Sequence, residues 1–416
     1  MRTVIALALF LYPLAGFADG DWPASHQKGK QAFSHSDYSG AASTFEFCWP
    51  LARTALEQAI TANDLGLSLH ALGRELEARG WLGRAYDLWA AMPSRALDLA
   101  ETALGLVNVS RALGDFSGAE QILRRILAMP FDDAEHRAAL LNTLGDMLRE
   151  QERNSEADGQ FREAIALKGI SRERQLEATL GLADLARKAG NRAESEMLWN
   201  RAALLARETR SIKLEAVALR GLGLTRSDGG DYPTAESLLR RSLAMLEPYA
   251  GEDPEQVASA LGCLAGLYRR QKKLSLAEDA LLRAIELDKR NAGEEHPQTA
   301  LLRELLAELY SAEKRFDDAG ENAAKAYVSM RKSFGENSTA AAAALATAAL
   351  VNYRQKRLET AAEQYSSALS TIRANNAAMN DATAEIASHY AAVLAALHRN
   401  AEARRIQAEL KSFGWK

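Results

Sequence analysis

The sequence predicts an all-α fold, a solenoid of about ten antiparallel helix pairs, and three observations carry that prediction. The turns Gly251-Glu252-Asp253-Pro254, Gly293-Glu294-Glu295-His296-Pro297 and Gly335-Glu336-Asn337-Ser338 follow one another at a spacing of 42 residues. Helical segments repeat with them: Leu267-Tyr268 returns as Leu309-Tyr310, and Arg270-Gln271-Lys272-Lys273-Leu274 returns two periods later as Arg354-Gln355-Lys356-Arg357-Leu358. Small residues keep the same beat at Ala277, Ala319 and Ala361, and again at Ala284, Ala326 and Ala368. A fixed period of this size denotes a stacked array in which no single unit buries its apolar face alone.

The amino terminus reads differently from the rest. Met1-Arg2-Thr3 is followed by an apolar run to Leu14 and by small residues at Gly16 and Ala18. This is the pattern of a secretory signal peptide, residues 1–18, cleaved after Ala18. The run falls short of the roughly 20 residues that span a bilayer; an uncleaved anchor or a first helix of the fold is the alternative. The expected localisation is periplasmic or secreted, with no membrane span after cleavage.

From there the array is marked by the small residue of each second helix: Ala41, Ala85, Ala119, Ala157, Ser195, Ala235, Ala277, Ala319, Ala361 and Ala403. Residues 50–64 sit in the widest interval and leave open an extra or extended helix. Twelve residues before the markers stand Leu72-Gly73, Leu144-Gly145, Leu182-Ala183, Leu222-Gly223, Leu264-Ala265 and Leu306-Ala307. Gly80, Gly114-Asp115, Gly190-Asn191 and Gly229-Gly230-Asp231 supply turns between helices. Ala164, Ala202, Ala284, Ala326 and Ala368 let helix backbones approach, while Phe161, Trp199, Leu239, Leu281 and Tyr365 fill the space between pairs. Pro93, Pro130, Pro254 and Pro297 mark helix boundaries, with Asp253 an expected N-cap. After the last helix, Phe413 and Trp415 are placed to cover the end of the stack.

Composition narrows the function class. The net charge is −4, or −5 once Arg2 is removed with the leader, so the basic stripe of a nucleic-acid binder is missing. Cys48 and Cys263 lie far apart in an extended array and read as small buried hydrophobes. The seven His are scattered, so neither a metal site nor a cofactor is implied.

Leu264-Ala265, Tyr268, Ala277, Leu281 and Ala284, followed by the Gly293-to-Pro297 turn, resemble the tetratricopeptide repeat (TPR) family, in the longer variety found in kinesin light chains. The resemblance covers residues 19–416 and implies a right-handed superhelix with first helices on a concave wall. Val107, Ala348 and Lys28 depart from the family pattern, and the coiled coil of kinesin light chains is missing. With the marker counted as position 20, the family presents positions 2, 5, 6, 9, 12 and 13 to the groove.

That register singles out a polar ladder. Position 12 holds Arg111, Arg149, Arg187 and Arg269; position 9 holds Asn108, Asp146 and Asp184; Asn142 sits at position 5. In one reading the Asp and Arg three residues apart simply pair along the helix, worth a few tenths of a kcal/mol. In the other, Arg forks and Asn amides grip the backbone and acidic side chains of an extended peptide. Further along, Gly262, Cys263, Gly266, Ala343, Ala346, Thr347, Leu350, Ser388, His389 and Ala392 would line a groove of small residues. The lysines of a chaperone-tail clamp do not accompany Asn142 and Asn108. The expectation is a non-catalytic scaffold or adaptor for a protein or peptide partner, not an enzyme, with a self-associating structural component of an envelope complex, a homo-oligomer, as the alternative.

Overall fold

The structure is a computed structural model and describes residues 21–130, 133–375 and 381–412. The expected leader at 1–18, and Phe413 and Trp415, lie outside the described residues. Helix is the only regular structure among the described residues, arranged as the all-α repeat solenoid that the spacing predicts. The chain divides into two compact bodies at Ala189/Gly190.

The N-terminal body contains α1 (Trp22–Ser34) and α2 (Tyr38–Cys48), α3 (Ala55–Ala71) and α4 (Glu75–Ala90), α5 (Ala96–Ala112) and α6 (Phe116–Leu127), α7 (Ala134–Glu150) and α8 (Asn154–Ala166), and α9 (Arg172–Lys188). The C-terminal body opens with α10 (Arg192–Glu208). It continues with α11 (Ile212–Asp228) and α12 (Tyr232–Leu246), α13 (Pro254–Arg270) and α14 (Leu274–Ala292), and α15 (Pro297–Ala312) and α16 (Phe316–Phe334). Last come α17 (Thr339–Arg354) and α18 (Leu358–Ala374), then α19 (Asp381–Ala396) and α20 (Asn400–Ser412). Taken in sequence, the twenty α-helices of the described residues make ten repeats.

Local chemistry fixes the boundaries. Thr54 and Glu57 form a capping box at the start of α3, each side chain meeting the other's backbone N–H. Asp37, Asp115, Asn191 and Asp231 accept from the third residue of the helices they precede, and Asp133, Ser171, Ser211 and Ser338 do so at first helices. Asp253 precedes α13 as expected, yet its side chain makes no cap bond. Its carboxylate lies 3.0 Å from Lys213 Nζ instead.

The second repeat corrects the sequence register. Residues 50–64 contain no extra helix: a 3₁₀ turn, Trp49–Leu51, leads into α3, the ordinary first helix. The pair twelve residues before the marker is Leu65-Gly66, and the marker itself is Ala78, fully buried. Ala85 stands seven residues further, where Ala164, Ala202 and Ala284 stand in their repeats. Leu72-Gly73 imitates the motif but ends the helix, Gly73 adopting φ +74°. Contact geometry decides the matter, because a Cβ on Gly66 would lie 2.6 Å from Leu82 Cγ, and Leu82 is four residues beyond Ala78.

That contact is the packing rule of the array. In eight of the ten repeats the residue four beyond the marker is large and buried, as Phe45, Leu82, Leu123, Phe161, Trp199, Leu239, Leu281 and Tyr365; repeats 8 and 10 have Ala323 and Gln407 there. Phe161 fills the room left by Gly145 of its own repeat and by Gly181 of the next, where added Cβ atoms would fall 2.7 and 2.4 Å from its ring. Trp199 uses Gly221 of the following repeat in the same way, at 2.4 Å. Glycine there admits an aromatic ring at interior packing density.

Within each body the first helices also touch one another: α1, α3, α5, α7 and α9 in one, α11, α13, α15, α17 and α19 in the other. In each body they form a continuous wall, and the site residues lie on these walls.

Candidate protein-binding wall

On α7 and α9, positions 9 and 12 are three residues apart and share a helix face. Arg149 donates to Asp146 of its own helix at 3.0 Å and to Asp184 of the next repeat at 3.1 Å. Asp184 also accepts from Arg187 at 3.1 Å and has Lys188 Nζ at 3.4 Å. The four residues thus form a zigzag that crosses from one repeat to the next. Its side chains are 21–45 % exposed, half sunk into the wall. Burial alone would push the Asp184 carboxyl up, but Lys188, Arg187 and Arg149 outweigh it and hold the group below the usual range. Burial likewise opposes the charge on Arg149, and Asp146 and Asp184 more than offset it.

The remaining ladder residues divide. Arg111 crosses to Glu150 of the next repeat rather than to an aspartate, and Asn108 is half-buried on α5 without a side-chain hydrogen bond among the described residues. Asn142 is buried at 4 % exposure and is committed to the joint between repeats. Its amide donates to the Arg174 carbonyl at 3.1 Å and to Glu177 at 3.2 Å, so it does not present its amide on an open surface.

A second row that the sequence reading missed runs beside the first. Glu135 accepts from the Ser171 backbone N–H and hydroxyl, both at 2.8 Å, and from Arg174 Nε at 3.1 Å. His136 lies between Asp133 at 2.9 Å and Glu101 at 3.2 Å. The Glu101 hydrogen bond, against burial and with help from Asp133, raises its pKa to about 9. The only sequence signal for this row was acid and base recurring one repeat apart.

Models of the tetratricopeptide repeat match residues 137–168, 175–247 and 256–327. The chain carries tetratricopeptide repeats. No curated protein matches it in sequence. Among solved structures it is similar to a Rap protein complexed with Competence and Sporulation Factor, at 13% identity and a TM-score of 0.58, over 86% of this chain and 98% of that one. The apo form of RapI gives 10% identity and a TM-score of 0.55 over 85% and 97%. BtubC from P. vanneervenii gives 20% identity and a TM-score of 0.45 over 54% and 91%. The tetratricopeptide fold generally serves as a non-catalytic protein-interaction scaffold.

In the C-terminal body the tetratricopeptide register places Arg269 exposed on α13, 3.0 Å from Glu308. Glu304 accepts from Thr347 at 3.2 Å, and burial raises its pKa to about 7. Several residues expected in a groove of small side chains pack between repeats instead. Ala346 is 5 % exposed, Cys263 lies against the core, and the His389 ring lies 6.3 Å from that of Tyr365. For Cys263 and His389 the reason is that position 6 faces the large residue of the preceding repeat, as Gly181 faces Phe161. Ala343 and Ser388 are exposed as expected. Among the described residues no helix is long and apolar enough to cross a membrane.

Proposed function

We propose that this tetratricopeptide scaffold binds an extended polypeptide along the first-helix wall of its N-terminal body, with Arg149 and Arg187 as the chief contacts. Asn108, Arg111, Asp146 and Asp184 lie along the same strip, and Arg269 stands at position 12 on the first-helix wall of the C-terminal body. The carrying observation is the half-exposed zigzag Asp146–Arg149–Asp184–Arg187, which repeats in register from one first helix to the next. Exposed ion pairs add little stability, so folding alone is a weak reason for such a row. A guanidinium has five N–H donors, and Arg149 uses two on the aspartates, leaving donors for backbone carbonyls or carboxylates of a partner. The Rap protein of similar fold is complexed with Competence and Sporulation Factor, which is consistent with this use of the architecture.

The leader pattern at 1–18 places the scaffold outside the cytoplasm in this proposal, in the periplasm or beyond it. Amino-terminal sequencing of the protein from its own cells checks this, with Asp19 expected as the first residue. The binding proposal is tested by affinity capture from an envelope extract, using residues 19–416 beside the Arg149→Ala/Arg187→Ala variant. A partner held by the first and lost by the second supports the wall. Equal capture by both overturns it, and recovery of the protein alone moves the reading to self-association.

A further inference from the structure

In every repeat the first helix gives way to the second through a residue in the left-handed region, followed by the residue that precedes the second helix. Repeats 3, 5 and 6 fill these places with Gly114-Asp115, Gly190-Asn191 and Gly230-Asp231, the glycines at φ +77°, +73° and +81° and the acid or amide capping the helix. Both choices follow backbone preference. Repeats 7, 8 and 9 depart from both. They carry Lys272-Lys273, Lys314-Arg315 and Lys356-Arg357, the lysines at φ +59°, +64° and +66°, and the second residue makes no side-chain cap bond. Repeat 10 follows with His398-Arg399, His398 at φ +58°.

In repeats 7 to 10 the departure puts a cation at a helix N-terminus, the end that the helix dipole makes unfavourable for positive charge, whereas repeat 4, which departs from both as well, carries an acid, Glu152, in the left-handed place. Backbone preferences set aside together, at one spacing of 42 residues, gather where a function needs the side chains.

The side chains are also left available. Lys272, Lys314, Lys356 and Arg357 are exposed and form no ion pair among the described residues, whereas Lys273 and Arg315 sit 3.0 and 2.9 Å from Glu236 and Glu278. The turns of repeats 8 and 9 adjoin along a shallow open groove of about 440 Å³ in which Lys314, Arg354, Lys356 and Arg357 outnumber the single carboxylate of Asp317.

We propose that this edge of the C-terminal body is a second binding surface, for an extended acidic polypeptide segment whose carboxylates meet the turn cations of successive repeats. Charge complementarity selects the occupant. A membrane surface would call for apolar anchors beside the cations, and the groove offers only the half-buried Phe316. A nucleic-acid rod would call for a broad basic face, whereas Asp317 and Asp318 flank this one-turn-wide strip on a chain of net charge −4. This surface is separate from the first-helix wall and does not depend on it.

The test uses the full chain and a fluorescein-labelled oligoglutamate, followed by fluorescence anisotropy. Saturable binding is expected that weakens with salt, that oligoglutamine does not reproduce, and that falls roughly tenfold or more in the combined Lys272→Gly, Lys314→Gly and Lys356→Gly variant. That variant is expected to melt no lower than the parent, since glycine is what the same turn uses in repeats 3, 5 and 6. The glycine variant should still capture the partner of the first-helix wall from the envelope extract, so failure of one surface is distinguishable from failure of the other. Absence of binding, or equal binding by the glycine variant, overturns the proposal. So does tighter binding of phosphatidylserine vesicles or single-stranded DNA that is lost in the glycine variant, which would assign the edge to a membrane or to nucleic acid.

Discussion

The ring of Phe161 stands where a side chain on Gly181 would begin, 2.4 Å from the nearest position a Cβ there could take. Phe161 is fully buried and belongs to the preceding repeat, so the ring has nowhere to retreat. Gly181→Ala is therefore expected to destabilise: overpacking of about 1–3 kcal/mol outweighs a helix-propensity gain of about 1 kcal/mol at most. Gly159, in mid-α8, has open space around its Cβ position, and Gly159→Ala should stabilise by about 0.5–1 kcal/mol. Paired thermal melts check the contrast, and a common sign would contradict the packing rule.

Ala277 and Ala343 form a second contrast. Ala277 is fully buried at the crossing of its helix pair, and Ala343 is exposed on the first-helix wall. Ala277→Leu is expected to cost about 1–3 kcal/mol, and Ala343→Leu close to nothing, by denaturant titration. Equal losses would mean that the tetratricopeptide register is shifted.

How much of this was legible beforehand follows from where the signals lie. Repeats 7 to 9 announce themselves because their turns are near copies, and one aligned turn fixes the helices on either side. Repeat 2 was misplaced by one seven-residue step, since Leu72-Gly73 satisfies the same letters as Leu65-Gly66. Only the left-handed Gly73 and the contact of Gly66 with Leu82 tell a helix end from a helix crossing. The Asp146–Arg149 and Asp184–Arg187 pairs were readable from three-residue spacing. The bond from Arg149 to Asp184 was not, because it depends on how closely two repeats stack. Burial of Asn142 escaped for the same reason.

The cross-repeat pairing of His136 has a pH signature. Its folded pKa of about 9 lies above the ordinary 6.5, so its contribution is fully present below pH 6.5 and is lost as pH rises through 9. Melting temperatures of the parent and His136→Gln should differ most near pH 6 and converge near pH 10. A difference that does not vary with pH would remove the charge from the account.

Glu304 predicts a fall of the same sign over a lower pH range. An acid raised to about 7 by burial holds a proton in the folded chain that the unfolded chain has released, so stability falls as pH climbs from about 4.5 to 7. Glu304→Gln keeps an oxygen for the Thr347 hydroxyl and should raise the melting temperature at pH 8 while changing it little at pH 4. A variant less stable than the parent at pH 8 would show that the carboxylate is compensated after all.

The turn that accepts glycine in one repeat and lysine in another separates chemistry from architecture. Its backbone is set by the helices it joins, and its side chain touches no core, so a single codon change can rewrite the charge of one tooth along the edge. A lineage of such arrays can change what this edge attracts while every helix crossing stays as it was.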